Sequence, residues 1–298
     1  MISFKPRVAV IIPVYGRLVQ LTRALESVSR QTYPNLEIFV IDDCSPSPIS
    51  IKLNSGLIKN LSIIRRDSNG GAGAARNTGI KAVDAELIAF LDSDDFWIPN
   101  KLETQVSAFL SEMNFSPKCG GIVSGFFLHT LRRSREIVKQ RIPNSISHPK
   151  SLVEGCDVSP GSTLLVRKEI FEKVGYFDET LPRFEDWDWL IRASKISQIA
   201  VCKKLLSHIY VGPRANFDIV SHSCELIRKR HEAHFEKISK VCRRRFLSTL
   251  DFEKAVAAWS VGRRIASIKF LIKSIMNFPE GSLKKIHRVF RALVRGLS

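Results

Sequence analysis

At 298 residues, with 44% hydrophobic and 25% charged side chains, the chain has the size and make-up of an ordinary globular protein with a sizeable core, which excludes a disordered or fibrous one. Its longest apolar runs, such as VAVIIPVY, fall far short of the ~20 residues that span a bilayer, and its start carries no secretory pattern, so a cytoplasmic location is expected. The net charge of +17 is uneven: Ser221 to Ser298 holds 18 Lys and Arg against 6 Asp and Glu, a net of +12, and such a region attracts anionic surfaces.

Taken in chain order, Arg7 to Tyr15 reads as a buried strand, short and rich in β-branched residues. After Gly16, the spacing of Leu18, Leu21, Leu25 and Val28 predicts a helix, and LEIFVIDD, after Pro34 and Asn35, a second strand. Strand, helix, strand within about forty residues is a βαβ unit, which implies parallel pairing. LSIIRR predicts a third strand, GAGAARNTGIKAV a loop entering a helix, and ELIAFLD a fourth strand. Asn100 to Leu110 then reads as helix and GGIVSGFFLHT as strand. Arg132 to Pro160, polar and interrupted by three prolines, is expected to be a mobile excursion over the site. GSTLLVRKEIFEKVGYFDE predicts a strand and a short helix, EDWDWLIRASK another helix, and everything after Ser221 is expected to be helical. LKKIHRVFRALVRGL, with an apolar and a basic face, predicts a basic amphipathic helix.

Six cysteines without a CxxC pair argue against a zinc site and a disulfide framework, leaving reduced thiols as the expectation. Polar groups recur at the carboxyl ends of the predicted strands, where open α/β sheets bind ligands: Tyr15 and Arg17, Asp42 and Asp43, Asp92 and Asp94. Two aspartates at a strand end suit hydrogen bonds from a base edge or a ribose; capping a turn is the plainer alternative. In NGGAGAARNTG, glycines allow close backbone approach, a helix start near Ala72 presents free N–H groups, and Arg76 adds a cation, a set that suits phosphates. A dinucleotide fingerprint would follow the first strand and have a third glycine where Arg76 stands, so that reading is weak. FLDSDDFW places three carboxylates in four residues, which is costly unless a cation or ligand donors lie among them; Asp95 is expected to cap the helix beyond Pro99. Glu185, Asp186 and Asp188 gather at a predicted helix start, where capping competes with a role in accepting a proton.

Together and in this order, VIIPVYGR, VIDDCS, NGGAGAARNTG, FLDSDDFW and GSTLLVRKEIFEKVGYFDETLPRFEDWDWLIR resemble the family 2 glycosyltransferases, over roughly Val8 to Arg192. The resemblance implies a GT-A type Rossmann-like, mixed, mainly parallel sheet flanked by helices, with a basic helical region at the C-terminus. It divides the chain into a glycosyltransferase domain, 1–220, with a nucleotide-sugar half of about 1–115 and an acceptor half of about 116–220, and an extension, 221–298. It also implies a nucleotide site of Pro13, Val14, Tyr15, Arg17, Asp42, Asp43, Asn69, Gly71, Arg76, Asp92 and Ser93. Asp94 would bind Mn²⁺ or Mg²⁺, Asp92 would do so through water, and His208 is a further candidate ligand. Asp186 would be the general base. Cys44 stands where the family often has glycine, which is expected to alter the turn, and the pattern leaves open which of His208, Tyr210 and Arg214 faces the diphosphate.

The function so implied is inverting, metal-dependent transfer of sugar from a UDP- or TDP-sugar to a glycan or lipid-linked acceptor in surface polysaccharide synthesis. The basic tail suggests peripheral attachment to an anionic membrane. A non-catalytic nucleotide-sugar or glycan binding protein of the same fold is the alternative, and the presence of Asp92, Asp94 and Asp186 speaks for the enzyme. Nucleic-acid binding would rest on charge alone, without a motif or stacking platform, and is not expected.

Overall fold

The computed structural model describes residues 5–50, 60–132, 135–144, 146–212 and 216–280. The chain divides into two compact units, the first formed by Met1–Pro149, Cys156–Thr180 and Asp188–Val211, the second by Lys150–Gly155, Leu181–Trp187 and Gly212–Ser298.

The first unit is built on β1 (Val8–Val14), buried along its whole length. Its neighbours β2 (Leu36–Asp42) and β4 (Leu87–Phe90) run parallel to it, and β3 (Leu61–Arg65) runs parallel to β2. A strand covered on both faces has no polar side to show, which is why VAVIIPV reads as a continuous apolar run. α1 (Leu18–Ser29) buries Leu21, Ala24, Leu25 and Val28, and these join Val8, Val10, Ile12 and Val14 in one core cluster. Each such buried side chain contributes roughly 2 kcal/mol.

Beyond β4 the sheet becomes mixed. β8 (Leu165–Arg167) runs antiparallel to β4, β6 (Cys119–Arg132) antiparallel to β8, and β9 (Gln198–Tyr210) parallel to β6. β5 (Phe96–Trp97) closes the order β3-β2-β1-β4-β8-β6-β9-β5, and β7 (Arg135–Arg141) pairs with β6. Helices α2 (Gly71–Ala82), α3 (Lys101–Phe115), α4 (Pro160–Thr163) and α5 (Lys168–Val174) complete the connections, and α6 (Glu185–Ala193) starts in the second unit. The segment expected to be an excursion between Arg132 and Pro160 thus contains a ladder strand and a 3-10 turn at Pro149–Leu152. Six of the seven residues of β7 are exposed, so it offers no apolar alternation to read.

Lys101, the first residue of α3, is fully buried. Its Nζ donates to Gln105 Oε1 at 2.6 Å and lies 4.0 Å from the centre of the Trp97 ring. Burial pushes the Lys101 ammonium down to about 7.

The second unit is helical, with α7 (Phe217–Ile238), α8 (Lys240–Ser260) and α9 (Arg264–Asn277). Asn216 and Ser239 cap α7 and α8 by accepting backbone N–H groups two and three residues on. Ile227 and Phe235 of α7 and Phe246 and Leu250 of α8 are buried, with the Phe235 and Phe246 rings 4.5 Å apart. The six cysteines are free thiols. No described helix is long and apolar enough to cross a membrane. The predicted amphipathic helix at 283–297 and Arg214 lie outside the described residues.

Candidate active site

Parallel register sets Val14 beside Asp42 and Ile11 beside Phe90, so the segments after β1, β2 and β4 leave the sheet at one edge. Asp43 N donates to Val14 O, and Leu91 N to Ile11 O, extending the alignment past the strands. Pro13 and Val14 are buried there, while Tyr15 is half exposed.

The paired aspartates are both tied into the protein. Asp42 Oδ1 accepts from Ser45 N at 2.8 Å, and Oδ2 accepts from Arg65 at 2.5 Å and from Ile49 N at 3.3 Å. Burial alone would raise the Asp42 carboxyl, but the bonds from Ser45, Arg65 and Ile49 together hold it below the usual carboxylate range. Asp43 accepts from Gly71 N at 2.7 Å and Gly70 N at 3.1 Å and pairs with Arg66. The glycine loop's first two N–H groups, expected to be free, are therefore donated to Asp43. Asn69 adds a bond from its side chain to Asp43 O at 3.2 Å. Gly71 has φ +81°, a conformation that side chains resist. Cys44 has φ +60°, the left-handed backbone that suits glycine, and the cysteine bears its strain.

The three carboxylates of DSDD have separate partners. Asp92 Oδ1 accepts from Arg76, a buried side chain, at 2.6 Å. Asp94 Oδ2 accepts from Arg17 at 2.5 Å, and the Arg23 guanidinium donates to Asp94 O. Burial first, then the neighbouring charge of Asp92, raise the Asp94 carboxyl above its ordinary value, against the pull of Arg17. Asp95 is not a helix cap. It is buried, accepting from Ser162 Oγ at 2.5 Å and from Tyr210 N at 2.8 Å, and burial with the charge of Asp92 raises it well above the carboxylate range. Ser93 between them is buried.

His208 faces Phe96 across the β5–β9 pairing and is stacked between Phe96 and Phe127, at 4.3 and 4.7 Å between ring centres. His129 Nδ1 lies 2.8 Å from Glu136 Oε1, and His129 Nε2 lies 2.8 Å from His208 Nδ1. An ionised Glu136 only accepts, so His129 donates from Nδ1. The second bond joins His129 Nε2 and His208 Nδ1, with its direction set by the proton count of the pair. Burial, then His129 and Arg23, lower the His208 pKa and favour its neutral form.

Of the acidic cluster at α6, Asp186 falls in the second unit, where its Oδ1 accepts from Trp187 N at 2.7 Å. Phe184, just before the helix, has φ +67°, an outlier for an aromatic residue, and its ring packs edge-on against Trp187 at 5.8 Å. Asp188 is structural: buried, it accepts from Arg192 Nε at 2.8 Å, and Arg192 in turn donates to Val174 O and Tyr176 O.

Arg65, Arg66, Gly161 and Ser162 were not legible as site residues. The arginine pair closing LSIIRR was the available signal for the first two, since residues ending a strand parallel to β2 must lie beside the end of β2. Gly161 permits a close approach: a Cβ there would lie 2.8 Å from Asp92 Cγ and 2.9 Å from Arg76 Nη2. Gly161→Ala is therefore expected to cost about 1–3 kcal/mol by prising the Arg76–Asp92 pair apart. Chemical denaturation measures this, and an unchanged midpoint would contradict it.

The family model for Glycosyl transferase family 2 matches residues 9–175. The UDP-Glc:alpha-D-GlcNAc-diphosphoundecaprenol beta-1,3-glucosyltransferase WfgD of Escherichia coli is 39% identical over 103 residues, 35% of this chain and 41% of that protein. Two longer relatives, from Rickettsia bellii and Rickettsia typhi, are matched over 30% and 61% of their lengths. Staphylococcus aureus TarS 1-349 in complex with UDP-GlcNAc shares the fold with a TM-score of 0.65 and 19% identity, over 93% of this chain and 82% of that one. The mannosyltransferase PcManGT of Pyrobaculum calidifontis, in complex with GDP-Man and Mn²⁺, does so with a TM-score of 0.54 and 16% identity, over 99% and 82%. With more than half of its length matched by the family model, the chain belongs to glycosyl transferase family 2.

Proposed function

We propose that this glycosyltransferase moves a sugar from a UDP- or TDP-sugar to a hydroxyl of a glycan or lipid-linked acceptor, with inversion at the anomeric carbon, during surface polysaccharide assembly. The observation that carries this reading is the meeting of Arg17–Asp94, Arg76–Asp92 and the Asp43-bound glycine loop at one edge of a parallel sheet. WfgD, by its name, acts with UDP-Glc on a diphosphoundecaprenol-linked sugar, and the TarS neighbour binds UDP-GlcNAc.

In this reading 1–220 is the catalytic domain and 221–298 an extension. Pro13, Val14 and Tyr15 line the base, Asp43, Asn69 and Gly71 shape the nucleotide loop, and Arg17, Arg76, Asp92 and Ser93 meet ribose and phosphates. Asp42, with its oxygens filled, holds the strand ends in place.

Among the described residues no three His, Cys, Asp or Glu side chains converge to hold a metal. Asp94 and Asp92 nevertheless fit a Mg²⁺ or Mn²⁺ ion that takes its remaining ligands from phosphate oxygens and water, since burial and then the neighbouring charge of Asp92 already raise Asp94. When bound, such an ion supplies positive charge against the leaving diphosphate. His208 is a further ligand candidate. In the transfer itself, the anomeric C–O bond to phosphate breaks with its electron pair leaving on the nucleoside diphosphate. The acceptor oxygen bonds to that carbon from the opposite face, and its proton passes to Asp186.

Thermal denaturation with UDP and Mn²⁺ tests the donor site. A nucleotide at a hundred times its Kd is expected to stabilise the native state by about 2.7 kcal/mol, and Asp94→Asn to remove the Mn²⁺-dependent part. Equal stabilisation by GDP would refute the uridine or thymidine preference, and none by any nucleotide would refute the site.

A further inference from the structure

α9 exposes a second apolar face. Its small polar residues face the protein: Ser267 and Ser274 are buried, donating to Ala255 O at 2.8 Å and Ser248 O at 2.7 Å of α8. Phe270, Leu271 and Ile275 are half-buried, but four other large apolar residues face solvent, with Ile265 86%, Ile268 53%, Ile272 51% and Met276 70% exposed. At about 100° per residue these four share one sector of about 80° on the helix. Lys269 and Lys273 border that sector on one side and Arg264 on the other, all three exposed. A helix that serves only its own core carries no second apolar sector of this kind.

We propose that this face of α9 lies on an anionic phospholipid bilayer, with the isoleucines and Met276 in the acyl boundary and the flanking cations at the head groups. An apolar stripe rimmed by lysine and arginine is the pattern of a helix resting in the membrane interface. Charge selects the occupant. α9 contains no acidic residue, and Ser221 to Ser298 carries a net +12, so a second copy of the chain would set like charges against each other, whereas anionic lipid neutralises them. The surface is separate from the sheet edge and rests on no catalytic assignment.

The test is co-sedimentation of the full chain with vesicles of 70% phosphatidylcholine and 30% phosphatidylglycerol, or of phosphatidylcholine alone, at about 0.1 M salt. The wild type is expected to partition onto the anionic vesicles and weakly onto the neutral ones. Ile268→Ser with Ile272→Ser, and separately Lys269→Glu with Lys273→Glu, are expected to weaken partitioning at least about tenfold while leaving the circular dichroism spectrum unchanged, because all four sites are exposed. Partitioning unaffected by both pairs, or lost only when residues 281–298 are removed, would overturn the proposal. A concentration-dependent dimer abolished by the isoleucine pair, without vesicle binding, would overturn it in favour of a second copy.

Discussion

Asp186→Asn is expected to lower kcat for sugar transfer about a thousandfold, roughly 4 kcal/mol of transition-state stabilisation, while the donor KM moves by less than about twofold. The amide keeps an oxygen that can accept from Trp187 N, so the start of α6 retains that hydrogen bond while a favourable charge near the helix N-terminus is lost. What it cannot do is take the acceptor's proton. The kcat and KM split separates this role from a structural one, because loss of local order would weaken donor and acceptor binding as well. Donor turnover equal to the wild type, with product formed at the same rate, would remove Asp186 from the chemistry.

Lys101→Met is expected to make the protein's stability far less dependent on pH. The lysine is lowered to about 7 in the folded state and returns to about 10.5 on unfolding, so between these values the unfolded chain holds the extra proton. Stability of the wild type then rises with pH: the penalty is full below about pH 7 and gone above about 10.5. Between pH 6 and 9.5 this amounts to about 3 kcal/mol that the methionine variant lacks. Below pH 7 the variant is expected to be the more stable protein, although it leaves Gln105 Oε1 without its donor, a loss of about 1–3 kcal/mol. Urea unfolding of both proteins across that range measures the slopes; parallel slopes would contradict the assignment.

Much of the first unit was legible because its strands alternate with amphipathic helices. Val8–Val14, Leu36–Asp42, Leu61–Arg65 and Leu87–Phe90 fall within the predicted strands, and the helices of the second unit follow the expected pattern after Ser221. Three strands were harder for physical reasons. β9 carries Lys203 and Lys204 in mid-strand, near the register shifts that β6 shows around Gly125, so its pattern breaks where the ladder does. β5 has two residues, too few for any period, and β7 has no buried face. At the site, the strand-end aspartates were visible because topology sends every such residue to the same edge. Ser162, which holds Asp95 and whose carbonyl accepts from Trp97 Nε1 and Ser207 Oγ, was not, since its partners lie 45 to 67 residues away and nothing local marks it.

Four carboxylates at this edge, Asp42, Asp43, Asp92 and Asp94, face four guanidinium groups, those of Arg65, Arg66, Arg76 and Arg17. Each of these four pairs is therefore neutral in sum before anything arrives. Under the proposed function, a diphosphate entering here would meet cations that are already engaged, and a metal ion carboxylates that are already paired, so each would take partners from the other's. The two ligands would then favour each other's arrival.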